Sequence, residues 1–205
     1  MTGWLVLGMM GYALATSASP GPVNIIAAMS GAQYGVARST PYVLGVTAGF
    51  VAVLALVGLG LGVVIQSRPW LRSALAMAGG AYLVYLAIGL ARSDPAEFQS
   101  GTIAPPSLGN GLLAQWLNPK AWVVALSAVS LYTTSGAYTL SLIAFCVVFF
   151  VVCFGSVLAW VAVGTFASRV LHEPRRIRAF NRVMALLLIA TVIAILGPEL
   201  MRGVA

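Results

Sequence analysis

The chain has 205 residues, 60% of them hydrophobic and 7% charged, and carries a net charge of +7, with a mean hydropathy of +0.99. A soluble domain is excluded, because a water-facing surface needs several-fold more charge. A nucleic-acid interface is excluded as well, since the Lys and Arg residues stand at segment ends with no interleaved aromatics, and the partner this composition suits is the lipid bilayer.

Residues 1–37 carry no charge and would form a continuous helix of about 55 Å, too long for one span and too short for two with a turn. The interruption is written as Ser19-Pro20-Gly21-Pro22, where the prolines remove backbone donors and Gly21 loosens the chain. A discontinuous first element over residues 4–33 follows. No positively charged n-region precedes it and the first charge is Arg38, so this stretch is expected to stay in place as a membrane segment instead of being cleaved as a signal peptide.

The second element is expected over residues 41–66, from Pro41 to the stop at Ser67-Arg68-Pro69, and the third over 70–91, closed by Arg92. Residues 93–107 hold Asp94, Glu97, Pro95, Pro105 and Pro106, the composition of a central loop. Elements four and five, at 108–132 and 138–167, are separated by the turn signal Thr133-Thr134-Ser135-Gly136. After a basic loop with Arg169, Arg175, Arg176 and Arg178, element six is expected over 180–196, ended by Gly197-Pro198.

The fold class expected from this is an all-α polytopic membrane protein of about six spans. Residues 1–92 make a first three-helix half, 93–107 a loop and 108–205 a second half, inverted because each half has an odd number of spans. Loops one, three and five carry Arg38, Arg92, Arg169, Arg175, Arg176, Arg178 and Arg182, against Arg68, Arg72 and Arg202 on the other side. This bias places the odd-numbered loops in the cytoplasm and both termini outside. The pairs Gly31/Gly35 and Gly45/Gly49 and the run Gly58-Leu59-Gly60-Leu61-Gly62 are read as close helix packing within the chain more readily than as a dimer face.

The halves share a feature. Ser19-Pro20 interrupts the first helix of one and Asn118-Pro119 the first helix of the other. Ser and Asn are favoured N-caps and Pro is favoured at the first helical position, so each dipeptide can start a new half-helix inside an apolar segment. Paired breaks in inverted halves point to a transporter's central site. Half-helix N-termini at Pro20 and Pro119 suit a carboxylate, and the carbonyls ending the preceding half-helices suit an ammonium, the two groups of an amino acid. Lys120, about 12 residues into its segment, costs roughly 2.5–3.5 kcal/mol to insert and so is expected to face a cavity or a partner; snorkelling to the interface is the alternative. With Lys120 and no acidic side chain at the breaks, a neutral or acidic amino acid is favoured over a basic one.

Cys146 and Cys153 are the only cysteines and His172 the only histidine. The cysteines lie about 10.5 Å apart along one helix, beyond the roughly 7 Å that a disulfide bridges, and are read as packing residues. No metal, cofactor or catalytic residue is expected.

At its breaks the chain resembles the lysine exporter and homoserine/threonine exporter family of bacterial amino-acid efflux proteins. The resemblance rests on Ser19-Pro20-Gly21-Pro22-Val23-Asn24 with Gly31, Gly35, Arg38, Gly45 and Gly49, and on Gln115-Trp116-Leu117-Asn118-Pro119-Lys120-Ala121-Trp122. Tyr82-Leu83-Val84-Tyr85-Leu86 and Asn181-Arg182-Val183-Met184 add to it. It implies six helices in a bacterial inner membrane, a homodimer, and efflux driven by the membrane potential or a proton gradient. Many members carry Asp or Asn directly after Pro-Gly-Pro. Here that position is Val23 and Asn24 follows one residue later, about 100° further round a helix, so the motif holds no proton-carrying carboxylate.

The expected site is therefore Ser19, Gly21, Asn24, Asn118 and Lys120 as substrate ligands, shaped by Pro20, Pro22 and Pro119, in an exporter of an amino acid or small derivative. A membrane thiol-electron carrier is the first alternative, but it needs cysteines at the breaks. A non-transporting scaffold or a small channel is the second, and substrate counterflow separates both from a carrier.

Overall fold

In a computed structural model the described residues are 3–92, 105–133, 136–168 and 173–202. Residues 93–104 of the expected central loop, with Asp94 and Glu97, lie outside them, as do Thr134 and Ser135 of the turn signal and residues 169–172, with Arg169 and His172. Among the described residues the regular structure is entirely helical: α1 (Gly3–Ala18), α2 (Pro22–Leu56), one π-helical turn (Val57–Leu61), α3 (Gly62–Ser67), α4 (Pro69–Arg92), α5 (Leu108–Trp116), α6 (Pro119–Tyr132), α7 (Tyr138–Ser168) and α8 (Pro174–Arg202).

The apolar stretches are punctuated close to where the sequence suggested, with two corrections. The turn between the first and second elements falls at Gly35, whose φ of 76° and ψ of 176° only glycine adopts without strain. Pro41, expected to start the second element, lies inside the helix that follows, where its φ is compatible with the helix but it removes one donor and its ring crowds the carbonyl four residues back. The last helix begins at Pro174, a favoured first residue, and runs on to Arg202, so Gly197-Pro198 does not end it.

Among the described residues two helical stretches, Pro22–Ile65, which is interrupted at Gly35 and by the π turn, and Tyr138–Ser168, are long and apolar enough to cross a membrane. On α7, Leu140, Ile143, Val147, Val151, Val163 and Phe166 are exposed, an outward apolar face that water would not favour and lipid does. Inward, Met9, Tyr42, Phe50, Leu54, Phe145 and Phe149 are buried in the main core, which draws on α1, α2, the π turn, α3, α5, α6 and α7. A smaller cluster joins α4 to α8 through Leu83, Ala87, Ala185, Leu188 and Val192, and meets the larger body at Ile25 of α2.

Glycines let the helices of the larger body touch backbone to backbone. A Cβ on Gly31 would run into the Val161 carbonyl and one on Gly164 into that of Ala28, so α2 and α7 grip each other at both positions. Gly45 stands in the same way against Leu108, and Gly111 against Tyr42, which seats α5 on α2. Packing within the chain thus accounts for Gly31 and Gly45, while Gly35 serves a turn.

The Gly58–Gly62 run has a third use. Gly60 has a φ of 110° within the π turn, and the carbonyl of Gly58 accepts a 2.6 Å hydrogen bond from the Tyr138 hydroxyl at the start of α7. Tyr138→Phe keeps the ring and removes that donor, so it is expected to lower stability by about 1 kcal/mol, read as a lower melting temperature of the purified protein in detergent. An unchanged melt would mean that the π turn does not depend on this bond.

Candidate functional site

The first break is built from the end of α1 and the start of α2. Ser19 follows α1, and its hydroxyl donates to the Thr16 carbonyl at 2.9 Å, closing the C-terminal end of α1. Gly21 is extended, with φ −168° and ψ 173°, as the steric demand of the following Pro22 requires. Helix α2 starts at Pro22, not at Pro20. Ser19 therefore does not cap the new half-helix. Two prolines in three residues delay the restart until the second, the one placed where its missing donor costs nothing.

Asn24 stands in the first turn of α2 and reaches back across the break. Its Nδ2 donates to the carbonyls of Ser17, at 2.8 Å, and Ser19, at 2.9 Å. Both partners are acceptors only, which settles the orientation of the amide. Oδ1 is left buried and without a hydrogen-bond partner, and the buried hydroxyl of Ser17 has none beyond a weak contact with the Cys153 thiol.

The second break follows the expected grammar. α5 ends at Trp116, Asn118 is the N-cap of α6, and its Oδ1 accepts from the Lys120 backbone N–H at 3.2 Å. Pro119 is the first helical residue. The Asn118 Nδ2 donates to Gln115 Oε1 at 3.2 Å, and the Trp122 indole donates to the Trp116 carbonyl at 2.8 Å, tying α6 back over the break. Gly79 of α4 packs on Pro119 and on the Leu117 carbonyl, with no room for a side chain.

The two breaks meet. Lys120 Nζ donates to Ser19 Oγ at 2.7 Å and reaches the Ser19 carbonyl at 3.3 Å, linking positions 101 residues apart. A Cβ on Gly21 would lie 3.4 Å from the same nitrogen. The ammonium thus turns onto the other broken helix.

Between the breaks lies a cavity of about 30 Å³, space for a water or two at roughly 10–15 Å³ each. Its polar side is formed by Ser17, Gly21, Asn24, Gln115, Asn118 and Lys120, and its apolar side includes Phe50, Phe149, Cys153 and Val157. Of the expected residues, Gly21, Asn24, Asn118 and Lys120 line it together. Ser19 touches it through Lys120. Pro22 and Pro119 are buried in its frame, and Pro20 is exposed. Ser17 could have been found as the last polar side chain of α1 before the break. The wall from α7 had no polar signal, only the helical spacing of Phe149, Cys153 and Val157 on one face. Both cysteines are on α7, Cys153 buried against the cavity and Cys146 half-buried, and neither stands at a break.

The family model of the LysE type translocator matches residues 14–203. A cysteine/O-acetylserine efflux protein of Escherichia coli O139:H28 (strain E24377A / ETEC) is 31% identical over 201 residues, covering 95% of this chain and 99% of the relative. Proteins of the same name from Escherichia coli (strain K12) and Shigella sonnei (strain Ss046) are each 30% identical over 201 residues, with the same coverage. No solved structure matched the chain.

Proposed function

The chain belongs to the LysE type translocator family, and from that premise we propose that it is a secondary transporter exporting a small neutral or acidic amino acid, or a derivative of one, through the site where its two broken helices meet. The observation that carries this is the Lys120–Ser19 contact across the breaks. Alternating access needs a polar site shared by two parts of the fold, and helix ends freed by broken backbone are how membrane proteins build one.

In this reading the halves 1–92 and 108–205 are inverted three-span repeats, joined by the loop 93–107. The protein sits in a bacterial inner membrane with its odd-numbered loops in the cytoplasm and assembles as a homodimer. Lys120 and the N-terminus of α6 receive the substrate carboxylate. The Lys120 ammonium has three donors, and on binding it exchanges Ser19 for the carboxylate, a stronger, charge-assisted pair. A cavity of about 30 Å³ is too small for an amino acid, so the conformation described is a closed one. The smaller α4–α8 unit is the element suited to move, because it meets the larger body through Ile25, Gly79 and the half-buried Leu71, Leu75 and Tyr82, without the double backbone grip that locks α2 to α7. The names of the relatives support a small zwitterionic cargo.

Proteoliposomes preloaded with unlabelled amino acid are expected to take up the labelled compound by counterflow, with L-cysteine and O-acetyl-L-serine in the panel. A channel gives no trans-stimulation and a scaffold gives no uptake. Absence of counterflow across the common amino acids and their small derivatives would overturn the proposal.

A further inference from the structure

We propose that Ser17 and Asn24 form the ammonium-binding end of the site and that the wall of Phe50, Phe149, Cys153 and Val157 restricts the cargo to amino acids with small, uncharged side chains; this rests on the export reading above. Two buried side-chain oxygens face the cavity. Asn24 is 2% and Ser17 9% exposed, both line the cavity, Asn24 Oδ1 has no hydrogen-bond partner, and Ser17 Oγ has none beyond a weak contact with the Cys153 thiol. Buried polar atoms are nearly always satisfied, so a pair left open on one cavity marks where a ligand supplies donors.

The chemistry of that ligand follows from what is already used. The Asn24 amide spends its donors on the Ser17 and Ser19 carbonyls, which leaves an acceptor only. Those carbonyls lie at the end of α1, where the helix dipole is negative. An acceptor, a hydroxyl and a negative helix end suit a cation with several N–H groups. Among the described residues that line the cavity Lys120 alone is charged, and it takes the opposite charge. One side therefore reads an ammonium and the other a carboxylate, as an α-amino acid presents them.

Thr16, Gln115 and Asn118 also line the cavity and are engaged in hydrogen bonds of their own, and what remains is apolar: Val23, Phe50, Ala121, Val124, Phe149, Cys153 and Val157. Phe50 and Phe149 stack at 3.9 Å between ring centroids, a rigid floor that does not give way to a long side chain. A second carboxylate or a second ammonium would face this wall without a partner. The neutral-or-acidic class thus narrows to neutral and small.

The test uses L-cysteine and 3-mercaptopropionate, which differ only in the amino group, with purified protein in nanodiscs under reducing conditions. Wild type is expected to bind L-cysteine at least about tenfold more tightly than its deamino analogue, and L-phenylalanine and L-lysine far more weakly. Ser17→Ala removes only the open hydroxyl, and Met9 and Ala13 below it on α1 are already packed, so the fold should stand. In that variant L-cysteine affinity should fall about tenfold while 3-mercaptopropionate is unaffected, because its carboxylate still reaches Lys120. Equal loss of both ligands, no loss of either, or wild-type binding of L-phenylalanine or L-lysine as tight as that of L-cysteine would overturn the assignment. Any of these results with counterflow intact leaves export standing; failed counterflow of every amino acid by wild type is the separate result that removes the export reading.

Discussion

Lys120→Gln is expected to insert and fold like wild type while its affinity for the exported amino acid falls by roughly 1–3 kcal/mol, about 5- to 150-fold. Glutamine keeps much of the length and removes the charge. Insertion should not suffer, because an ammonium within a span is itself costly. The loss is expected to fall on binding, because the ammonium sits on the lining of the cavity and holds Ser19 Oγ at 2.7 Å, the contact that a carboxylate would replace under the proposed function. The measurement is equilibrium binding to purified, correctly folded protein, since poor expression would mimic lost transport in cells. Unchanged affinity for every transported amino acid would remove Lys120 from the site and leave its contact with Ser19 as a structural tie.

Gly31→Val and Gly164→Val are each expected to cost about 3 kcal/mol or more, enough to abolish recovery of monodisperse protein. A side chain at either position would have to enter the backbone of the facing helix, at Val161 or at Ala28. Backbone cannot move aside as the tip of a side chain can, and the helices would have to part along the whole seam. Gly11→Ala and Gly155→Ala are the controls, because a Cβ there meets nothing within 4 Å and the change also favours the helix. Comparable melts for all four variants would show that the seam is not the close contact described.

Much of this arrangement was legible because the chain is apolar almost throughout, and its few prolines, glycines and charges stand out against that background. Asn118-Pro119 reads as a cap followed by a first helical residue, and both sit in those roles. What was not legible depended on competition between neighbouring signals. Pro20 and Pro22 both break a helix, and only the restart at Pro22 decides that Ser19 closes α1 instead of capping α2. That same restart puts Asn24 in the first turn, from which its amide reaches the Ser17 and Ser19 carbonyls although it is offset by one residue from the position where the resembling family often carries a polar group. Gly35 outweighed Pro41 because a positive φ reverses the chain whereas a proline only weakens a helix. The wall from α7 was hidden for a simpler reason: in a helix apolar on every side, nothing distinguishes the face toward a cavity from the face toward lipid.

The paired glycine seams have a consequence for inheritance. Any single-base change in a glycine codon that alters the amino acid brings in at least a Cβ, since glycine alone lacks one. At Gly31, Gly45, Gly111 and Gly164 that Cβ already strikes backbone. These four codons therefore have no silent route through amino-acid space: a lineage that alters one must alter its partner helix in the same step or lose the protein. Substitution at these four is therefore expected to be tolerated far less often than at Gly11 and Gly155, where a Cβ meets nothing within 4 Å.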